Sequence, residues 1–91
     1  MKHYYMMIKH QIGITNDYIW TAEHESANTF QEAVNAIDES DAASNYKVLK
    51  AILVKETDNK DNRLYSRLVN ITIKTNEPER YINKLYRRKK P

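Results

Sequence analysis

The chain contains no cysteine, a single glycine and two prolines among its 91 residues, and each scarcity removes a class of protein. Without cysteine there is no disulfide to staple the fold and no thiolate to act as nucleophile or ligand, so stability must come from packing. With Gly13 as the only glycine, the glycine-rich loops of P-loop and dinucleotide sites are excluded, because they need backbone that approaches a phosphate without a Cβ. Long apolar runs are missing as well. The opening stretch MKHYYMMIKHQIG is interrupted by Lys9 and His10 with no small-residue cleavage site after it, so it reads as neither signal peptide nor membrane span. These absences imply a soluble, cytoplasmic protein without membrane contact. The length implies one domain, with no second domain against which a large catalytic cleft could form.

The longest absence is of positive charge. Residues 10–46 hold seven acids (Asp17, Glu23, Glu25, Glu32, Asp38, Glu39 and Asp41) and no Lys or Arg. Residues 1–9 carry only Lys2 and Lys9, and residues 47–91 carry thirteen Lys or Arg against five acids, so the net +3 conceals segments of +2, −7 and +8. Such segregation points to interaction with charged partners, since opposed potentials steer association and select among surfaces.

The apolar pattern gives the elements. Tyr4, Met6, Ile8, Ile12 and Ile14 alternate with His3, Tyr5, Met7, Lys9 and Gln11, as in a half-buried strand, with His10 the one polar residue on the apolar parity. Gly13 and Thr15-Asn16-Asp17 form a turn cluster, and the return strand faces Tyr18, Trp20 and Ala22 inward. Thr29-Phe30-Gln31-Glu32 is a capping box opening a helix whose stripe is Phe30, Ala33, Val34 and Ile37. Residues 46–54 are apolar on both parities and favour a central strand, with a helix as the alternative. TDNKDN at 57–62 is a turn. Val69, Ile71 and Ile73 alternate within 64–75 as a strand in hairpin with 46–54, and Asn76 caps a final helix reaching Tyr86. The expected fold is α+β: a four-stranded antiparallel sheet in the order ββαββα, with one central helix and a C-terminal helix. Residues 1–86 form the domain and 87–91 a basic tail. Exposed edges at Tyr4–Ile14 or Leu64–Thr75 would allow a homodimer.

No arrangement carries catalysis or a metal. His24-Glu25 begins an H-E-x-x-H pattern, but position 28 is Asn; His3 and His10 read as surface or edge histidines; Asp58–Asn62 lacks the glycine and twelfth-position Glu of a calcium loop. The expectation is a non-enzyme without cofactor. Two binding surfaces remain. One is an anionic ridge of Glu23, Glu25, Glu32, Asp38, Glu39 and Asp41 for a partner protein with a basic surface. The alternative is direct DNA or RNA binding by Arg63, Arg67, Lys84, Arg87, Arg88, Lys89 and Lys90, with Tyr65 and Tyr86 placed to stack on bases.

The run Ala27-Asn28-Thr29-Phe30-Gln31-Glu32-Ala33-Val34 resembles the corresponding stretch of small bacteriophage proteins that modulate their host, the phage T7 inhibitor of bacterial RNA polymerase among them. The small size and the excess of Asn, Lys, Ile and Tyr are similar to those of anti-CRISPR proteins. The resemblance covers about one-fifth of the chain and implies a class: a small protein in the host cytoplasm that binds and blocks a nucleic-acid-processing or defence complex. It assigns no residue a role.

Overall fold

The computed structural model describes the backbone of residues 1–42 and 46–87 and the side chains of residues 1–41 and 46–82. Six elements follow in the order β1 (Lys2–Ile12), β2 (Tyr18–Ala27), α1 (Phe30–Ala42), β3 (Tyr46–Thr57), α2 (Asn62–Lys74) and α3 (Pro78–Arg87). The fold is α+β, but the sheet has three antiparallel strands in the order β2-β1-β3 rather than four.

The first hairpin forms at the predicted turn. Gly13 takes a positive φ of 59°, a conformation natural to glycine. The Ile12 N–H reaches the Asp17 carbonyl at 3.1 Å, and the Thr15 hydroxyl donates to the Ile12 carbonyl at 2.7 Å. This pairs Met7 with Ala22 and Lys9 with Trp20. The chain then crosses over β1 through α1, and β3 pairs on the other side of β1. Because β2 and β3 both run antiparallel to β1, they are parallel to each other and joined by a helix, a split β-α-β unit.

β1 is therefore the central strand, not an edge and not half-buried. Tyr4, Tyr5, Met6, Met7 and Ile8 are all buried. Tyr4, Met6 and Ile8 pack with Ala33 and Ile37 of α1, whereas Tyr5 and Met7 pack with Trp20 and Ala22 of β2, Leu68 of α2 and Ile82 of α3. Five consecutive apolar residues are what a strand covered on both faces requires. The result is three layers, with α1 on one face of the sheet and α2 and α3 on the other.

Residues 46–57 form a strand, as expected, but at an edge. Its apolar residues fall on both parities because the register against β1 slips twice, from Lys55 to Leu53 and from Lys50 to Val48. The extra residues, Val54 and Leu49, break the alternation. Leu53 consequently packs on the α1 side while Val54 packs on the α2 side. Bulges and lysines on an edge also discourage further strand pairing.

The segment expected as a fourth strand is helix α2. Leu64, Leu68 and Ile71 recur at helical spacing, and Asp61, placed by sequence in a turn, caps the helix by accepting the Leu64 N–H at 3.0 Å. Ile73, which an alternating strand would bury with Val69 and Ile71, is 76% exposed. β-Branched residues raise the strand tendency of this segment, and packing of the Leu68 stripe overrides it. With β1 paired on both sides and 64–75 helical, neither of the edges expected to support a homodimer exists. The sheet's actual edges are β2 and β3.

The Thr29 cap stands as predicted: its hydroxyl accepts the Glu32 N–H at 3.1 Å, while the Glu32 carboxylate reaches the Asn28 N–H at 3.4 Å. α3 begins at Pro78 rather than directly after Asn76, with the Arg80 N–H on the Glu77 carbonyl at 3.3 Å. Proline suits this first helical position because its missing N–H would have no intrahelical partner there.

Candidate functional site

The sheet sorts the charges. Acidic α1 lies on one face, and Glu23 and Glu25, opposite Met6 and Tyr4 in the β1–β2 register, belong to that same face. On the other face lie α2, which contains Arg63, Arg67 and Lys74 and no acid, and the lysines of the opposite parity, Lys9 and Lys50, which face each other across β1 and β3. Layers pack about 10 Å apart, so α1 and α2 stand about 20 Å from each other, well beyond the Debye length of about 8 Å at physiological salt. The two faces cannot neutralise each other.

The ion pairs agree with this. Lys50 pairs with Glu79 at 3.0 Å, Lys55 with Asp61 at 3.6 Å, Arg80 with Glu77 at 3.2 Å, and Lys2 with Glu56 at 3.0 Å and Asp58 at 3.7 Å. The Glu56 carboxylate, followed by Asp58, raises the Lys2 pKa above its ordinary value. Every one of these acids comes from the basic half of the chain. Among the described residues, no Lys or Arg pairs with Glu23, Glu25, Glu32, Asp38 or Glu39.

The six predicted ridge acids are not equivalent. Glu32 and Glu39 project from α1 into solvent, and Glu25 is half-buried at the β2 edge. Asp38 is exposed but accepts the Val48 N–H at 3.4 Å, tying α1 to β3. Asp41 turns inward to Nδ1 of His10, whose Nε2 lies 2.6 Å from the Thr21 hydroxyl. The Thr21 hydroxyl in turn donates to Glu23 at 2.8 Å. Glu39 thus remains exposed and Glu25 half-exposed without a described partner, Glu32 is exposed but engaged in the cap of α1, and Asp41 belongs to the fold.

That chain of contacts corrects the reading of His10 as a surface or edge histidine. It is 3% exposed, at the centre of the sheet. Asp41–His10–Thr21 has the order of an orienter, a base and a hydroxyl nucleophile, but its polarity is wrong for activation. The Thr21 hydrogen goes to Glu23, so the ring nitrogen facing Thr21 acts as donor and has no lone pair to take the hydroxyl proton. The signal in the sequence was His10 on the apolar parity; its partners lie 11 and 31 residues away.

On the basic face, Arg63, Arg67 and Lys74 are all exposed and fall on one side of α2 at spacings of four and seven residues. Lys84 and Arg87 lie within α3, but their side chains are outside the described residues, as are Arg88, Lys89 and Lys90 altogether. Tyr65 is partly exposed in the first turn of α2. Between β2 and that turn is a depression of about 300 Å³ lined by Tyr5, Glu23, His24, Lys60, Asn62 and Tyr65. His24 stacks on Tyr5, ring centres 4.8 Å apart, and on His3 at 5.1 Å. Its Nε2 lies 2.8 Å from His3 Nδ1, so those two nitrogens face each other across a hydrogen bond. Burial, then the neighbouring His3 and Lys60, hold the His24 pKa below its ordinary value. No group of three or more His, Cys, Asp or Glu among the described residues could hold a metal ion.

Comparison of the chain with protein-family models, curated proteins and solved structures finds no match. No helix among the described residues is long and apolar enough to cross a membrane.

Proposed function

We propose that the chain is a non-enzymatic interaction protein that lays its α1 face on a cationic surface of a nucleic-acid-processing or defence complex of a host cell and blocks it. The observation that carries this reading is the set of ridge acids left without a Lys or Arg partner on the α1 face, where the strand lysine of that parity, Lys2, is already paired with Glu56 and Asp58. An anionic face without paired cations costs self-repulsion, whereas it accelerates encounter with a basic partner and rejects acidic ones. The class implied by the phage-like run at Ala27–Val34, a small protein that binds and blocks, accords with it.

The test uses the full chain as bait in a bacterial lysate, followed by reconstitution with whatever complex is recovered. The wild-type chain is expected to inhibit that complex's action on nucleic acid, with inhibition weakening as salt rises. The variant combining Glu25→Lys and Glu39→Lys is expected to keep its melting temperature and lose inhibition. Inhibition undiminished in that variant overturns the reading.

A second reading rests on the row Arg63, Arg67 and Lys74. A helix presenting cations along one exposed side, with no acid of its own, suits the phosphate backbone of DNA or RNA. It predicts affinity for an oligonucleotide that falls steeply with salt and with Arg63→Ala and Arg67→Ala; absence of binding at low salt removes it.

A further inference from the structure

Three depressions on the basic side differ in how their charges are met. The one at Thr75, Glu77, Arg80 and Tyr81 contains the Arg80–Glu77 pair, and the one at Lys50, Ile52, Glu79 and Ile82 contains the Lys50–Glu79 pair. Each is internally neutralised. The third, between β2 and α2, is not: Lys60 makes no ion pair among the described residues, and the only acid at its wall is Glu23. That carboxylate is engaged by the Thr21 hydroxyl, in the network that includes His10 and Asp41, and Glu23 has the β2 parity of the α1 face. The nearby Asp61 carboxylate is committed to the Leu64 N–H and to Lys55.

The side chains that remain are donors. Lys60 has an ammonium, Asn62 an amide and Tyr65 a hydroxyl, and no described hydrogen bond uses these side chains. The first-turn amide of Leu64 is already taken by Asp61, so the site does not rest on the helix terminus. A concave patch lined by convergent donors, with one unpaired cation and aromatic rings on its floor, selects a compact anion with several acceptor oxygens.

We propose that this depression binds a phosphate group, either on a phosphomonoester or in the backbone of a nucleic acid. Lys60 supplies the charge, Asn62 and Tyr65 supply hydrogen bonds, and His24 lies against Tyr5 as the polar wall. This deepens the nucleic-acid reading of the basic face by naming a contact point on it.

The experiment is an amide NMR titration of the full chain at low salt with three separate probes: inorganic phosphate, a simple phosphomonoester and a short single-stranded oligonucleotide. Saturable shifts are expected to concentrate at His24, Lys60, Asn62 and Tyr65, and Lys60→Glu is expected to weaken binding about tenfold or more, the loss of a charge-assisted contact. Arg80→Ala, in a neutralised depression, is the control and should change nothing. Absence of saturable shifts with all three probes overturns the proposal, as does binding indifferent to Lys60→Glu. Oligonucleotide binding that depends on Arg63 and Arg67 but not on Lys60 sinks this site and leaves the broader reading intact. Phosphate binding at the site without oligonucleotide binding does the reverse.

Discussion

His10 and Asp41, 31 residues apart in the chain, are joined by a well-buried side-chain hydrogen bond, with the imidazole in the central strand and the carboxylate in the last turn of α1. The ring's other nitrogen meets the Thr21 hydroxyl, which donates to Glu23, so the contact is part of a continuous polar network. The contact fixes the end of α1, where the helix dipole disfavours the acids Asp38, Glu39 and Asp41. A buried side-chain contact thus ties down that terminus.

Asp41→Ala should lower stability by about 1 to 3 kcal/mol, because it leaves a buried ring nitrogen without its partner. The measurement is a urea midpoint at unchanged m-value. The double variant with His10→Leu should lose clearly less than the sum of the two single losses, since the second change removes the group left unpaired by the first. Strict additivity would show that the pair does not act as a unit.

Leu68 and Ile73 separate a helical from an extended α2. Leu68 is fully buried and Ile73 is 76% exposed, so Leu68→Ala should cost about 2 to 5 kcal/mol and Ile73→Ala less than about 0.5 kcal/mol. Denaturant unfolding of both variants decides it, and comparable losses at the two positions would contradict the helix.

Acid weakens the fold through His24. Its pKa is held below the ordinary 6.5 first by burial, then by His3 and Lys60. In the window from 6.5 down to the folded value the unfolded chain binds more protons, so stability is full above that window and is lost as pH falls through it. His24→Phe keeps a ring against Tyr5 and should flatten this part of the melting-temperature profile. A profile unchanged by the substitution would assign the slope to another group.

The Tyr5 hydroxyl accepts the Asp61 N–H, tying the centre of the sheet to the cap of α2. Tyr5→Phe leaves that amide without its acceptor and should cost about 1 to 2 kcal/mol. Hydrogen exchange at Asp61 should accelerate more than at Leu64, whose amide keeps the Asp61 carboxylate at 3.0 Å. Equal protection in both proteins would mean that solvent replaces the hydroxyl without loss.

Local chemistry was legible in the sequence wherever one residue type answers one local need. Gly13 marked the turn by its tolerance of positive φ, Thr29 and Glu32 marked the start of α1, and the acid-only span from His10 to Tyr46 was visible as a string of letters. The α+β class followed from these. Tertiary structure decided what adjacency could not. The alternation of Val69, Ile71 and Ile73 read as a strand, but burying Leu68 against the sheet outweighed it. The alternation in β1 implied one covered face, yet a second helical layer covers both. The charge blocks became opposite faces only because β1 sits between β2 and β3, with α1 above and α2 below. Asp41 left the anionic ridge because a buried imidazole lay within its reach. Sequence determined which charges exist and where helices and turns begin; the stacking of layers determined which charges meet, which are screened from each other, and which are left for a partner.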